Sequence, residues 1–499
     1  MRLRPCPWIL LADTALSRNG TTGGDISLSL EDNRSFPSLS EAHRPPSRPS
    51  ARPADYLKAL RKIESNPPSR PVIELFGAGY QDYLQNPLQP LADNLESITY
   101  EVFEKDPIKY EWYERAVAAA LRDWVATNKK GSGPNNRIVC AVTGAGRGPL
   151  VTRALEASRK TSIAIELWAV EKNPNAYVLL RRHNVTKWNN RVHLIQSDMR
   201  SWQGPVYNNK NLKIDILISE LLGSLADNEL SPECLDGVQH LLNPTCGISI
   251  PSSYTAHLTP VASPKIHADI LARTAAGDTQ GFSIPYVSML HALDFLSARH
   301  PREKGYTRSG CGGGMPDIPL QPIIREAWGF KHPIPASHLP LPAERNPLGN
   351  GNEHNARFAR LEFVCAHRGV CHGLAGYFET VLYDPELLLG PLESSSAEAV
   401  KQRQSGKIEL STNPLTMEAK SRDMISWFPM FLPLKSPLYF PDESLLVLSM
   451  WRKTDGRGVW YEWIVEVFKL ERRGAGRKTG RVRLGASEVV SSRESACKM

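Results

Sequence analysis

Residues 137–148 read RIVCAVTGAGRG, and the reading of that stretch decides the fold. A near-continuous apolar run passes straight into glycines at 144, 146 and 148, and PLVTRALEASRK then resumes at helical spacing. A strand apolar on both faces is one covered on both faces, which is the signature of a parallel sheet. Gly144 and Gly146 allow a sharp turn and a close backbone approach to a ligand at the strand's carboxyl end. The dinucleotide fingerprint is absent, because it needs a third glycine two residues further on and Gly148 follows after one.

Outward from that strand the alternation continues. Upstream, DPIKYEWYERAVAAALRDWVAT has Asp106 as N-cap, Pro107 at the first helical position, and Tyr110, Tyr113, Val117, Leu121 and Trp124 on one face. Downstream come strand IELWAVE, helix NAYVLLRRHNV, strand VHLIQSD and strand KIDILISE. The expected fold class is therefore α/β over residues 71–251, with a parallel sheet. After Pro251 the pattern changes to SYTAHLTPV, RLEFVCAH, GLAGYFETVLY, SLLVLSMWR and VWYEWIVEVF, so 252–470 reads as an antiparallel β domain. Residues 302–355 (Gly, Pro, Asn) and 391–422 (Ser, Lys, Glu) read as surface insertions, and 471–499 as a basic, partly disordered tail. Residues 1–70 hold a short strand, a Ser/Pro/Arg loop and one helix, too little to bury a core.

The net charge of +8 is unevenly placed. Residues 1–70 carry 11 Lys/Arg against 7 Asp/Glu and residues 469–499 carry 9 against 3, leaving the middle at −2. The body thus suits a basic or neutral substrate better than nucleic acid. Eight scattered cysteines form no C-x-x-C pair, so reduced thiols in the cytoplasm or nucleus are expected. Cys371 and His372 fall in an alternating run that a strand explains better than a nucleophile pair. No run reaches the ~20 apolar residues of a membrane span, so no membrane association is expected.

The chemistry sits at strand ends. Glu171 closes the second strand 27 residues past Gly144, where a carboxylate can accept both hydroxyls of a ribose. Asp198 closes the third and could accept from an adenine amino group. Glycines, ribose acid and adenine acid in that order describe an adenosine site without a pyrophosphate grip, for which S-adenosyl-L-methionine fits better than NAD. The fourth strand runs into SELLGSLADNE, residues 219–229, with Glu220 and Glu229 at the two ends. Two carboxylates on one pocket repel unless a cation lies between them. A guanidinium is such a cation, planar and permanently charged, and no metal is needed.

These residues resemble the arginine methyltransferase 5 family, the type II protein arginine methyltransferases that make symmetric dimethylarginine, with a fungal cast. The resemblance runs from about Glu74 to Phe468 and is carried by GYQDYLQNPLQPLADNLESITYEVFEKDPIKY, VTGAGRGPLV, AVEKNPNA, SDMRSW, SELLGSLADNELSPECLDG, GYFETVLY, SWFPMFLPLKSP and VWYEWIV. It implies a Rossmann-like S-adenosylmethionine-dependent methyltransferase domain followed by a β-barrel or sandwich for substrate binding and dimerisation, with 1–70 resembling the last strand and helix of an N-terminal TIM barrel. It further implies that Tyr100, Lys109 and Tyr110 line the methionine end of the cofactor, that Glu171 holds the ribose, and that Asp198 and Met199 hold the adenine, with Gly144 and Gly146 also binding the cofactor. Glu220 and Glu229 match the family's paired glutamates, Trp427 its stacking aromatic, and Phe103 the position that shapes the product. Ser426 stands where type I enzymes carry a histidine. Expected partners are Arg/Gly-rich proteins and histone tails, with a possible homo-oligomer and no direct nucleic acid contact. Two other functions stand beside this one: a catalytically inactive scaffold, and a nucleic-acid methyltransferase. The latter lacks an Asn/Asp-Pro-Pro-aromatic loop after the fourth strand, since the Asn-Pro-Pro at 66–68 precedes the fold.

Overall fold

Strand β1 (Ile138–Thr143) is buried at every position, as a strand with sheet neighbours on both sides and helices on both faces must be. A computed structural model describes residues 72–299, 320–334, 352–389, 406–472 and 479–499. The expected strand and helix at 1–70 lie outside them. β1 pairs in parallel with β2 (Ile165–Glu171) on one side and β4 (Ile216–Ser219) on the other. β3 (Val192–Gln196) extends the first side and β5 (Ile248–Ile250) the second, giving the order β3-β2-β1-β4-β5. The order reverses between β1 and β4, so their carboxyl ends open the crevice where such sheets bind ligands.

Helices α2 (Pro107–Ala126), α3 (Pro149–Thr161) and α4 (Pro174–Thr186) sit where the sequence pattern puts them, and α1 (Ser97–Glu104) and α5 (Ser231–Gln239) add to them. Asp106 caps α2, its Oδ1 accepting from the Ile108 and Lys109 amides at 2.9 and 3.2 Å. Tyr113, Leu121 and Trp124 on its inner face are fully buried against the sheet. Each such side chain contributes about 1.5–3 kcal/mol of apolar burial.

The second half is antiparallel. Long strand β9 (Gly369–Tyr383) lies between β6 (Ser253–Ala262) and β11 (Met430–Phe440). A second sheet orders β8 (Arg357–Cys365), β12 (Ser444–Thr454), β13 (Gly458–Arg472) and β14 (Thr479–Ala486). Buried Val139 and Trp168 of the parallel sheet share one apolar cluster with Phe363 and Trp463 of the β half, so the halves have a common core.

Three segments differ from the sequence reading. Within 302–355, β7 (Arg325–Lys331) pairs along β6 and buries Trp328 and Phe330; the Gly/Pro-rich flanks mask its alternation. Within 391–422, β10 (Ile408–Ser411) adds to β9, and Lys420 is neutralised by Glu379 and Glu409. In the basic tail, β14 pairs with β13, while Arg481 and Arg483 pair with Glu362 and Glu466. Two of the charges that suggested disorder, Arg481 and Arg483, are thus matched by acids on β8 and β13.

Candidate active site

The carboxyl ends of β1, β2, β3 and β4 face one cavity of about 860 Å³, roofed by α1 and the start of α2. Gly144 and Gly146 turn the chain out of β1 at φ 68° and 54°. A Cβ at Gly146 would lie 3.0 Å from Tyr100, and one at Gly144 3.0 Å from Leu221, so a side chain at either position would press its neighbour aside. Glu171 ends β2 almost fully buried, with Oε2 accepting from the Gly146 amide and Oε1 from the Asn173 amide, both at 2.7 Å. Burial raises its carboxyl above the usual range against the pull of those amides. Asp198 is gripped by Arg200, whose Nη2 reaches Oδ2 at 2.7 Å and whose backbone amide reaches Oδ1 at 2.8 Å. Those bonds hold its carboxyl below the ordinary value despite partial burial. Met199 is buried beside it and lines the cavity.

The two glutamates line the same cavity. Glu220 follows β4 directly, and Tyr113 Oη fixes that strand end by donating to the Ser219 carbonyl at 3.0 Å. Its loop folds tightly on itself: Gly223 bridges Ala226, and a Cβ at Gly223 would fall 2.3 Å from the Asn228 side chain. Glu229 closes the loop and faces the same cavity. Burial, then the charge of Glu220, pushes the Glu229 carboxyl up to about 8. Trp427 also lines the cavity. It stands at φ 65°, pinned by its Nε1 donating to the Leu222 carbonyl at 2.6 Å. Backbone in the left-handed region at a residue that carries Cβ marks an over-determined site.

Lys109, expected at the methionine end of the cofactor, lines the cavity but is fully buried, with its ammonium 3.2 Å from Glu220 Oε2. The ammonium also lies 4.9 Å from the Trp427 and Tyr110 ring centres and 5.3 Å from that of Phe103. Burial alone would lower its pKa, but the Glu220 carboxylate outweighs burial and raises it. The pocket between carboxylate and rings therefore already receives a cation. Tyr100 and Phe103 meet edge to face at 6.5 Å on α1.

Two residues organise the site in ways the sequence analysis did not give. Arg147 donates to the Ser97 carbonyl and Glu101 and pairs with Glu104, fastening α1 over the glycine loop. A lone charge in an otherwise small-residue loop was its signal. Asp106, beyond capping α2, accepts from the Ile425 and Ser426 amides through Oδ2 at 3.1 and 2.7 Å. Nothing local in sequence marks that contact. Cys371, buried with its thiol pushed up to about 12, is inert strand core rather than a nucleophile. Among the described residues no cluster of metal-ligating side chains is found, and no helix is long and apolar enough to cross a membrane.

Residues 72–250 match the family model described as PRMT5 arginine-N-methyltransferase, and 253–499 the one described as PRMT5 oligomerisation domain. Protein arginine N-methyltransferase skb1 of Schizosaccharomyces pombe is 40% identical over 447 residues, covering 89% of this chain and 60% of that protein. Protein arginine N-methyltransferase 5 of Xenopus laevis is 37% identical, covering 82% of this chain and 53% of that one. The chain thus spans little more than half the length of these relatives. A solved Trypanosoma brucei PRMT1 enzyme-prozyme heterotetrameric complex with AdoHcy is 14% identical at a TM-score of 0.48, covering 80% of this chain and 98% of that one, a likeness that leaves the fold to rest on its own strand order. Two models of one family that together take in nearly all of 72–499, and curated relatives at 37% and 40% identity, establish that the chain belongs to the PRMT5 family of protein arginine methyltransferases.

Proposed function

We propose that this chain transfers methyl groups from S-adenosyl-L-methionine to the guanidinium of arginine in protein substrates, yielding monomethyl and symmetric dimethylarginine. The observation that carries this is the cation seat: an ammonium held against Glu220 among Trp427, Tyr110 and Phe103, with Glu229 facing the same cavity.

The residues present fit the cofactor. A glycine loop whose Cβ positions are filled lies beside a buried carboxylate already oriented by two amides, and its free lone pairs suit a ribose diol. Asp198 and Met199 would meet the adenine, and Tyr100 the methionine end. When bound, S-adenosyl-L-methionine supplies a methyl group on a positively charged sulfur. Everything else falls to side chains. Glu220 and Glu229 hold the guanidinium by two of its nitrogens and leave the third electron-rich. The rings of Trp427 and Phe103 keep its plane fixed, and such alignment can supply roughly 7–11 kcal/mol of a bimolecular barrier. The methylated nitrogen must shed a proton, and the Glu229 carboxylate, ionised when the guanidinium is seated, faces the cavity where it can take that proton.

Arg/Gly-rich proteins and histone tails are the proposed substrates, met in cytoplasm and nucleus. The match of 253–499 to an oligomerisation domain supports self-assembly. The test is to incubate purified protein with methyl-labelled S-adenosylmethionine and an Arg/Gly-rich peptide, hydrolyse the peptide and separate the methylarginines. Label in symmetric dimethylarginine is expected; absence of label in arginine would refute the proposal.

A further inference from the structure

The loop between β4 and α5 is tight, with Gly223 bridging Ala226 and the Leu225 amide donating to Asn228 Oδ1 at 2.8 Å, and it holds two residues carrying Cβ, Ala226 and Leu230, at φ 67° and 68°. Such backbone persists only where the surroundings impose it. Here the surroundings come from the β half. Arg452 on β12, wholly buried, donates Nη1 and Nη2 to the Glu233 carboxylate at 2.8 and 2.9 Å. Nη2 also reaches the Asp227 carbonyl at 3.3 Å and Nη1 the Asn355 carbonyl at 3.1 Å, while Nε lies 3.5 Å from Asp227 Oδ2. The Asp227 carboxylate in turn accepts from Trp328 Nε1 at 2.5 Å and from the Tyr461 hydroxyl. The Phe330 ring, 5.3 Å from the guanidinium carbon, packs against the same arginine.

Asp227 stands two residues before Glu229 and Glu233 four after, so one guanidinium grips the chain on both sides of that carboxylate. We propose that Arg452 is a positioning residue for methyl transfer: acting through Asp227 and Glu233, it holds the loop that aims Glu229 at the substrate. Arg452 is not among the residues lining the cavity, so it acts through the loop alone. The role requires a forked, planar donor, because the two anchor points must be bonded at once; a lysine offers one point charge. The inference rests on the methyltransferase function proposed above.

Two variants of the full chain test it. Arg452→Lys keeps the charge and loses the fork. Arg452→Met with Glu233→Met removes the bidentate pair together, so Glu233 is not left buried without its partner, and Asp227 keeps its Trp328 and Tyr461 donors. The measurements are kcat and KM with an Arg/Gly-rich peptide, the affinity for S-adenosylhomocysteine by calorimetry, and amide hydrogen exchange of residues 220–230. Both variants should lose about 100-fold in kcat, the scale for misplacing an aligned group. S-adenosylhomocysteine affinity should be unchanged, and loop amides should exchange about tenfold faster. Wild-type kcat with unchanged exchange in the double variant overturns the inference, as does a parallel loss of cofactor affinity, which would report collapse of the fold. Active wild type with equally active variants defeats this inference alone; a wild type that methylates nothing defeats the underlying function.

Discussion

Lowering the pH should weaken substrate binding through Glu229 before it affects the cofactor site. Its carboxyl stands at about 8 because it is buried and faces Glu220, whereas a guanidinium binds the ionised form. Ionising it costs about 1.4 kcal/mol at pH 7 and about 2.7 kcal/mol at pH 6, at 1.36 kcal/mol per unit. Affinity for an Arg/Gly-rich peptide should therefore fall about tenfold per unit from pH 8 to pH 6 and level off above about pH 8. Binding at pH 7 should release close to one proton, which calorimetry in buffers of different ionisation enthalpy reads directly. Glu229→Gln should bind more weakly at pH 8 and show no slope. The stability sign follows from the same shift. A carboxyl raised above its ordinary value of 4.5 contributes stability that is complete below about pH 4.5 and lost as pH rises through about 8. The thermal midpoint of Glu229→Gln should thus gain on wild type from pH 5 to pH 8. A flat wild-type affinity across this window, or a slope retained in Glu229→Gln, would refute the reasoning.

Glu171→Ala should weaken S-adenosylhomocysteine binding by about 1–3 kcal/mol, the scale for losing a charged acceptor; an unchanged dissociation constant would remove Glu171 from the ribose site. Gly146→Ala should weaken it too, since φ 54° and a Cβ 3.0 Å from Tyr100 force the loop or α1 to move, with thermal stability falling by about 1 kcal/mol. Phe103→Met replaces a rigid ring on the cation seat by a flexible thioether, and some asymmetric dimethylarginine should appear in the amino-acid hydrolysate. A purely symmetric product from that variant would end the proposed role of Phe103.

What could be read ahead of the structure was what local pattern encodes. The parallel strands announce themselves because burial on both faces leaves no polar position, and α2 because Asp106, Pro107 and an apolar stripe mark its start and inner face. Glu171, Asp198 and Glu220 fall at strand ends, as counting along the βα units puts them: Glu171 ends β2, Asp198 lies two residues past β3 and Glu220 follows β4 directly. The strand Arg325–Lys331 and the paired tail were not legible. Both owe their structure to partners far along the chain: β7 to β6, and Arg481 to Glu362, 119 residues away. Composition alone counts those arginines as solvated. The present position of Lys109 was illegible for a similar reason, because its nearest acid, Glu220, lies 111 residues downstream.

The same argument explains why the cation seat belongs to neither half of the chain. Trp427 and the loop carbonyl it bonds, that of Leu222, are 205 residues apart. Their meeting is arranged by Asp106, a buried carboxylate with one oxygen capping α2 and the other holding the Ile425 and Ser426 amides. A buried carboxylate left with an unbonded oxygen would be costly, so filling both oxygens fixes the start of α2 and the Trp427 loop together. Lys109 and Tyr110 come with the helix, Trp427 with the loop. The β half then approaches the glutamates from a second direction, through Arg452 on Asp227 and Glu233. Carboxylates supplied by the parallel sheet and an aromatic supplied by the antiparallel one converge because two buried charged residues, Asp106 and Arg452, each have bonding partners on both sides of the boundary. An apolar seam could have joined the halves with equal stability but would have tolerated sliding. Fixed hydrogen-bond geometry does not, and a seat that must orient a planar cation to within a few tenths of an ångström depends on that difference.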